Sequence, residues 1–186
     1  MRKPILGLLL VVSATAIAGE QEYLEEVDSE VYELPGTVAE ITQKAELCIA
    51  RVIQFDEARI AESSSSVYIS ETPGKRIDGI SGGAVFVSKD IEGGTIVANS
   101  RTEYGGFLGA QTVQSTLTFR AKEGRFKITH TNIKAASKNS GYAANNGFIP
   151  VGKWPGSPWK KVTKSLSSVT EDLSSCIVAV EVEDDW

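Results

Sequence analysis

The segment from Thr112 to Ile133 reads TVQSTLTFRAKEGRFKITHTNI, and it decides the fold. Apolar and polar residues alternate along each half, and the two halves meet at a Gly-bearing turn, residues 122–125. Period-two alternation of this kind predicts a hairpin of two antiparallel strands with one buried and one solvated face. A hairpin with one apolar face does not fold alone, so the rest of the chain must cover it. The residues predicted for the buried face are Leu117, Phe119, Phe126, Ile128 and His130.

Two amphipathic helices are predicted, one on each side of the hairpin in the sequence. Thr37 and Glu40 have the spacing of a capping box, and apolar residues then recur at steps of three and four as far as Val52. A second apolar stripe of the same period runs from Val162 to Val180. We expect both stripes to cover the same face of the sheet that contains the hairpin. The sequence therefore predicts an α+β fold, a two-layer sandwich with two helices packed on one face of an antiparallel sheet.

Residues 1–19 have the pattern of a cleaved signal peptide. Arg2 and Lys3 precede the apolar run Ile5–Val12, and the small residues Ala16–Ala18 mark a cleavage site. The apolar run is too short to span a bilayer, and no later stretch of the sequence is apolar enough to do so. We therefore expect export to the periplasm or the medium, with no membrane span after cleavage.

The chain after the leader is expected to form one domain. Residues 20–30 are acidic and polar, and they are predicted to be a flexible arm. Residues 31–183 are predicted to form a single α+β domain. Within it, residues 56–83 and 137–158 are rich in turn-forming residues, so both are interpreted as inserted loops.

The charge balance bears on the class of ligand. The chain has 19 basic and 24 acidic residues, and removal of Arg2 and Lys3 with the leader leaves 17 against 24, a net charge of −7. This balance argues against a general polyanion binder, so no nucleic acid partner is predicted. One His and no Cys-x-x-Cys motif exclude a zinc cage, and neither a metal nor another cofactor is predicted.

The two cysteines, Cys48 and Cys176, lie on the two predicted helix stripes. They can therefore face one another, and an oxidising compartment permits a disulfide between them. The alternative is a pair of buried thiols that pack as small apolar side chains. The sequence leaves both alternatives open.

Several stretches resemble one family of exported bacterial proteins, the domain-of-unknown-function family 4468. They are Val31-Tyr-Glu-Leu-Pro-Gly leading into the capped helix, the strand pair that follows, and KEGRFKITHTNI from Lys122 to Ile133. The resemblance covers roughly Val31 to Ile133. It implies a TBP-like fold and brings no known activity. DNA binding does not follow from it, because function belongs to the site rather than to the fold.

One motif suggests a hydrolase. Gly79-Ile-Ser-Gly-Gly satisfies the G-x-S-x-G pattern of a nucleophile elbow around Ser81, and His130 is the sole imidazole that could serve it as a base. The elbow requires a strand before the serine and a helix after it, whereas here a loop precedes and a strand follows. A turn at Ser81 and a structural histidine at His130 are the favoured interpretation. A small serine hydrolase is the alternative.

The favoured function is an exported, non-enzymatic binding or structural module for a protein or carbohydrate ligand. One candidate surface is the solvated face of the sheet around Arg120, Arg125 and Lys127. A further alternative is an assembly subunit that pairs with other copies through an exposed sheet edge.

The other candidate surface is the aromatic loop 137–158. Flat rings beside asparagine amides suit a sugar or a peptide, although the same rings can instead fold inward as a lid on the sheet. The candidate ligand-binding aromatics of this loop and its boundary are Tyr142, Phe148, Trp154 and Trp159.

Overall fold

The computed structural model describes residues 22–53, 55, 84–105, 109–138 and 146–180. Three features predicted from the sequence lie outside the described residues: the signal peptide, the whole 56–83 insertion, which includes Ser81 and its glycines, and Tyr142.

The described chain contains seven strands and two helices, which confirms the α+β class. In chain order they are β1 (Glu26–Asp28), β2 (Tyr32–Glu33), α1 (Val38–Val52), β3 (Phe86–Asp90), β4 (Thr95–Tyr104), β5 (Gln111–Lys122), β6 (Arg125–Ser137), β7 (Ile149–Pro150) and α2 (Trp159–Ala179). No helix in the described part of the chain is long and apolar enough to cross a membrane.

The predicted hairpin is the centre of the sheet. Strands β5 and β6 pair antiparallel from Lys122 and Arg125 at the turn to Gln111 and Ser137 at the far end, and β4 and β3 extend the sheet beyond β5. An extra residue interrupts the β5–β6 ladder near Asn132, which has a positive φ of 52°. This bulge changes which face each later residue of β6 occupies, so that the inner face receives even-numbered residues before it and odd-numbered residues after it.

Three short strands cover the outer edge of β6. Strand β2 pairs with its start, β1 with its middle and β7 with its end. The prediction of a flexible arm at residues 20–30 is therefore wrong where the structure describes it, because Leu24 is buried and residues 26–28 are hydrogen-bonded into the sheet. Leu24 and Val27 are the only aliphatic residues of this acidic segment, and they are three positions apart, so the segment shows no strand alternation in the sequence.

Both helices lie on one face of the sheet, as predicted. The capping box that begins α1 is present, since Thr37 Oγ1 accepts from Glu40 N and Glu40 Oε2 accepts from Thr37 N. The main core joins apolar side chains of α1 and the second half of α2 to the inner face of β4, β5 and β6. A second core joins the first half of α2 to Leu24, Val113, Ile133, Ala135 and Val151.

A disulfide joins the two helices. Cys48 of α1 and Cys176 of α2 are bonded, with their Cα atoms 5.8 Å apart and 128 residues apart in sequence. Of the two alternatives that the sequence left open, the disulfide is the one the structure contains. It fixes α1 against α2 directly above the central strands.

Candidate functional site

The sole histidine lies in the protein core. His130 is fully buried on the inner face of β6, between the two apolar cores. Its Nδ1 is hydrogen-bonded to Ser115 Oγ of β5 at 3.0 Å, and its Nε2 to Thr170 Oγ1 of α2 at 3.1 Å. Burial lowers the pKa of His130 from 6.5 to about 4. The imidazole is therefore neutral at pH 7, and it links the sheet to the helix.

This environment does not suit a catalytic base. A general base requires access to substrate and a group that stabilises its charged form. Both ring nitrogens of His130 already have hydroxyl partners, and the buried polar side chains of the described residues include no carboxylate. Ser81, the other member of the hypothetical pair, lies outside the described residues. The position of His130 supports its structural interpretation.

Acidic residues near the β3–β4 turn serve the turn itself. Asp90 Oδ1 accepts a hydrogen bond from Gly93 N at 2.8 Å. Within the described ranges, no group of three His, Cys, Asp or Glu side chains is placed to hold a metal ion.

A cleft of about 370 Å³ lies where the end of β6 meets β7 and the loop that leads to α2. Its walls are mostly apolar, with amide and hydroxyl groups at a few positions. The described lining contains no ionisable side chain. The lining residues are Gln111, Ala135, Ala136, Ser137, Asn146, Gly147, Ile149, Pro150, Val151, Gly152, Trp154, Ser157 and Pro158.

Trp154 forms one wall of this cleft, and 43% of it is exposed. Its ring lies directly over Gly152, where an added Cβ would come within 1.8 Å of a ring carbon. The ring of Tyr23 meets it edge-to-face, with the centroids 5.9 Å apart. Tyr23 is itself held in place because residues 23 and 152 form an antiparallel bridge and Leu24 N donates to Val151 O at 2.7 Å. Trp154 is thus an exposed ring on a rigid support.

Of the other aromatics predicted for this surface, the two that the structure describes, Phe148 and Trp159, do not line the cleft with Trp154. Trp159 is partly buried and packs against the second core. The guanidinium carbon of Arg101 lies 5.6 Å from the centroid of the Phe148 ring and 4.4 Å from the centroid of the Phe55 ring. Among the described aromatics of the loop and its boundary, Trp154 is exposed at the cleft, and Phe148 and Trp159 pack against other parts of the protein.

The candidate cations of the sheet lie on the face opposite the helices. Arg120 is directly opposite Lys127 in the β5–β6 ladder, and Lys122 is directly opposite Arg125. Lys127 Nζ forms an ion pair with Asp28 Oδ2 at 2.7 Å. The positions of Arg120, Arg125 and Lys127 thus form one cluster at the turn end of the hairpin. It is separate from the cleft at the other end of β6.

The sequence did not point to Tyr23 and Gln111 as parts of the site, and it pointed to Ile149 only as a member of the loop 137–158. Tyr23 lies in a segment whose acidic composition hides its single aromatic, and Gln111 belongs to a strand far from the loop in sequence. The signal that could have found them is strand pairing, because β7 and the segment around Tyr23 are adjacent to each other only through the sheet.

The seven strands and two helices define a protein of the α+β class, with both helices on one face of an antiparallel sheet. No protein-family model matches the chain, and no curated protein matches it. Among solved structures, the chain is similar to a DUF4468 family protein from Bacteroides ovatus. The identity is 13%, the match covers 89% of this chain and 95% of that one, and the TM-score is 0.45.

Proposed function

We propose that the protein is an exported, non-enzymatic carbohydrate-binding module, and that its ligand lies in the cleft beside Trp154. The observation that carries this proposal is an exposed indole, supported from behind by Tyr23 and Gly152, at the wall of an open cleft. Ligand sites are concave and mainly apolar, with a few polar groups that fix orientation. The cleft has this composition.

The polar groups of the cleft favour a neutral sugar over a charged ligand. Gln111 and Asn146 supply amides, which can both donate and accept, as sugar hydroxyls do. The apolar face of a sugar ring can pack on the flat face of Trp154, while the hydroxyls at its rim reach the amides. Because the described lining has no ionisable side chain, it offers no strong contact to an ionic group.

The same lining supports binding without catalysis. Glycoside hydrolysis requires a pair of carboxyl groups on either side of the bond that is cleaved. The described walls of the cleft contain neither Asp nor Glu. Export is supported by the Cys48–Cys176 disulfide, since such bonds persist chiefly in oxidising compartments. Pairing of copies through a sheet edge stays a prediction.

The proposal is tested by titrating the purified protein with neutral oligosaccharides of glucose, xylose and mannose. Binding is measured by calorimetry and by tryptophan fluorescence. Trp154→Ala should weaken binding of the best oligosaccharide at least about tenfold, which corresponds to about 1.4 kcal/mol. The matched control is Leu47→Ala, which removes a similarly exposed apolar side chain from α1 and should leave affinity unchanged.

A second variant moves the ring without removing it. In Gly152→Ala the new Cβ would overlap the Trp154 ring, so the ring must leave its position. We expect weakened binding together with a shift in tryptophan emission. If Trp154→Ala and Gly152→Ala both retain the affinity of the parent protein, the cleft is not the ligand site. If no neutral oligosaccharide binds, the proposed ligand class is wrong.

A further inference from the structure

The turn end of the hairpin has an arrangement that does not favour folding. Four cationic side chains form a two-by-two array on the outer face, because Arg120 is opposite Lys127 and Lys122 is opposite Arg125. Like charges directly opposite one another destabilise an antiparallel pair. Stability alone would favour opposite charges or neutral residues at these positions. The array therefore calls for another explanation.

Part of this positive charge is not neutralised within the protein. Lys127 has its ion pair with Asp28, and Arg125 has Glu33 of β2 directly opposite it, but no described carboxylate forms an ion pair with Arg120, Lys122 or Arg125. These three side chains are all exposed. Arg120 and Lys122 have no carboxylate directly opposite them in the described strand pairs, although the net charge of the chain is −5.

The row next to the array has a different chemistry. Thr118 of β5 and Thr129 of β6 are opposite each other, and Thr116 and Thr131 form the following row. All four point to the outer face and are partly exposed. Thr129 Oγ1 donates to Asp28 Oδ1 at 2.7 Å, and Thr116 Oγ1 accepts from Asn132 Nδ2 at 3.3 Å. The outer face therefore continues from cations into hydroxyl groups along the strands, and Asp28 and Glu26 of β1 lie opposite Thr129 and Thr131 at its edge.

We propose that this face binds an acidic polysaccharide, with its carboxylate or sulfate groups on Arg120, Lys122 and Arg125 and its hydroxyls along the threonine rows. Single exposed ion pairs contribute little to binding, so only a ligand with several charges in series would be held here. A polymer that combines regular negative charges with many hydroxyls matches both parts of the face.

Other polyanions fit this face less well. A lipid surface is normally engaged by exposed aromatic or large apolar side chains beside the cations. The described neighbours of the array are threonines of β4, β5 and β6 and Glu33 of β2, and the nearest apolar residue of this face, Val97 opposite Thr118, is only partly exposed. Single-stranded nucleic acid is held by exposed aromatics that stack on its bases. Phe126, the aromatic nearest to the array on β6, is buried on the inner face.

This site is independent of the proposed cleft. Lys127 and Lys134 are seven residues apart on β6, which corresponds to about 23 Å along a strand. Lys134 lies opposite Pro150, so the cleft begins near that residue. If the cleft does not bind a neutral sugar, the cation array can still bind an acidic polysaccharide, and the reverse also holds. Trp154→Ala should leave binding of a charged polymer unchanged.

The test uses dextran sulfate as the probe and neutral dextran as its reference, with the full mature chain in low salt. We expect binding of dextran sulfate that weakens steeply as salt rises, and no binding of neutral dextran. The triple variant Arg120→Gln, Lys122→Gln, Arg125→Gln should lose at least about tenfold in affinity and show a shallower salt dependence. Its melting temperature should be equal to or above that of the parent protein, because repulsion is removed.

The matched control is the triple variant Lys160→Gln, Lys161→Gln, Lys164→Gln, which removes the same charge from exposed positions on α2. Its affinity for dextran sulfate should stay within about twofold of the parent value, since simple surface charge is not the proposed cause. Equal losses in the two triple variants would overturn the proposal. So would tighter binding to phosphatidylglycerol vesicles or single-stranded DNA than to dextran sulfate, or a large drop in melting temperature in the first variant.

Discussion

The two faces of the central hairpin have opposite chemistry although they alternate residue by residue. Leu117, Phe119, Phe126 and Ile128 are completely buried beneath the helices on one face. Their sequence neighbours on the other face are threonine, arginine and lysine, which remain partly or fully exposed. Buried apolar area is the main favourable term in folding, whereas exposed charges contribute little to stability. The inner face therefore provides most of the stability of the hairpin, and the residues of the outer face can change with little effect on folding.

The largest difference between the faces should appear at two adjacent positions of β5. Phe119→Ala removes a fully buried ring that packs on Phe126, so it should lower the free energy of unfolding by about 3–5 kcal/mol. Thr118→Ala, on the outer face, should change it by no more than about 0.5 kcal/mol. Urea denaturation followed by circular dichroism measures both values. Similar losses in the two variants would contradict the division between the faces.

The disulfide should contribute next to the stability of the inner side. Replacing Cys48 and Cys176 together by alanine removes a crosslink across 128 residues of sequence and should cost about 2–5 kcal/mol. Thermal unfolding of the double variant measures this cost, and the reduced parent protein should melt near the same temperature. A double variant as stable as the oxidised parent would show that the bond adds nothing to the packing of α1 on α2.

His130 should make the stability of the inner face depend on pH. Its folded-state pKa of about 4 lies below the ordinary value of 6.5, so the unfolded chain takes up a proton that the folded chain does not. The stabilisation is complete above pH 6.5 and is lost as the pH falls from 6.5 to about 4, by about 3 kcal/mol in total.

Chemical denaturation at a series of pH values measures this slope. The control is His130→Gln, which keeps a neutral hydrogen-bonding side chain without a titrating group. Its stability should be lower at pH 7 and nearly flat between pH 6.5 and 4. An equally steep loss in the variant would assign the slope to other groups.

The smallest effect is expected for the ion pair on the outer face. Hydrogen bonds from Lys127 and Thr129 lower the pKa of Asp28 below 3.8, so its contribution is present above that pH and is lost as the pH falls further. Because 40% of the Asp28 side chain is exposed, Asp28→Asn should cost no more than about 1 kcal/mol at pH 7. Urea denaturation measures this loss of unfolding free energy. The control variant is Glu25→Gln, which removes an exposed carboxylate from the same segment. A loss as large as that of Phe119→Ala would end the contrast between the faces.

The sequence predicted the regular elements well and the contacts between distant segments poorly. The hairpin, the capped first helix and the stripe of α2 each follow from a local period, and the structure confirms them. Strand β1 was missed because three residues are too few to show a period. Its partner is more than 90 residues away, as the pairing of Glu26 with Thr131 shows.

The candidate site was predicted only in part for the same reason. From the sequence, Trp154 and Trp159 are equally good candidates for ligand binding, because the two rings lie in the same loop region with similar neighbours. Packing separates them, since Trp159 joins the second core while Trp154 lies over Gly152 beside the cleft. The cation array was easier to predict, because its four residues lie within eight positions around one hairpin turn, and the structure adds which of them are directly opposite one another.

Local alternation by itself determined which residues between Leu117 and Ile128 face the core and which face solvent, because a strand has a fixed side-chain period of two. It also determined the two helix stripes that cover the inner face. Only the tertiary structure decided that Cys48 meets Cys176, that His130 lies between Ser115 and Thr170, and that Tyr23 supports Trp154. These contacts join segments far apart in the chain, and no local period encodes a distance between two segments until the sheet and helices pack.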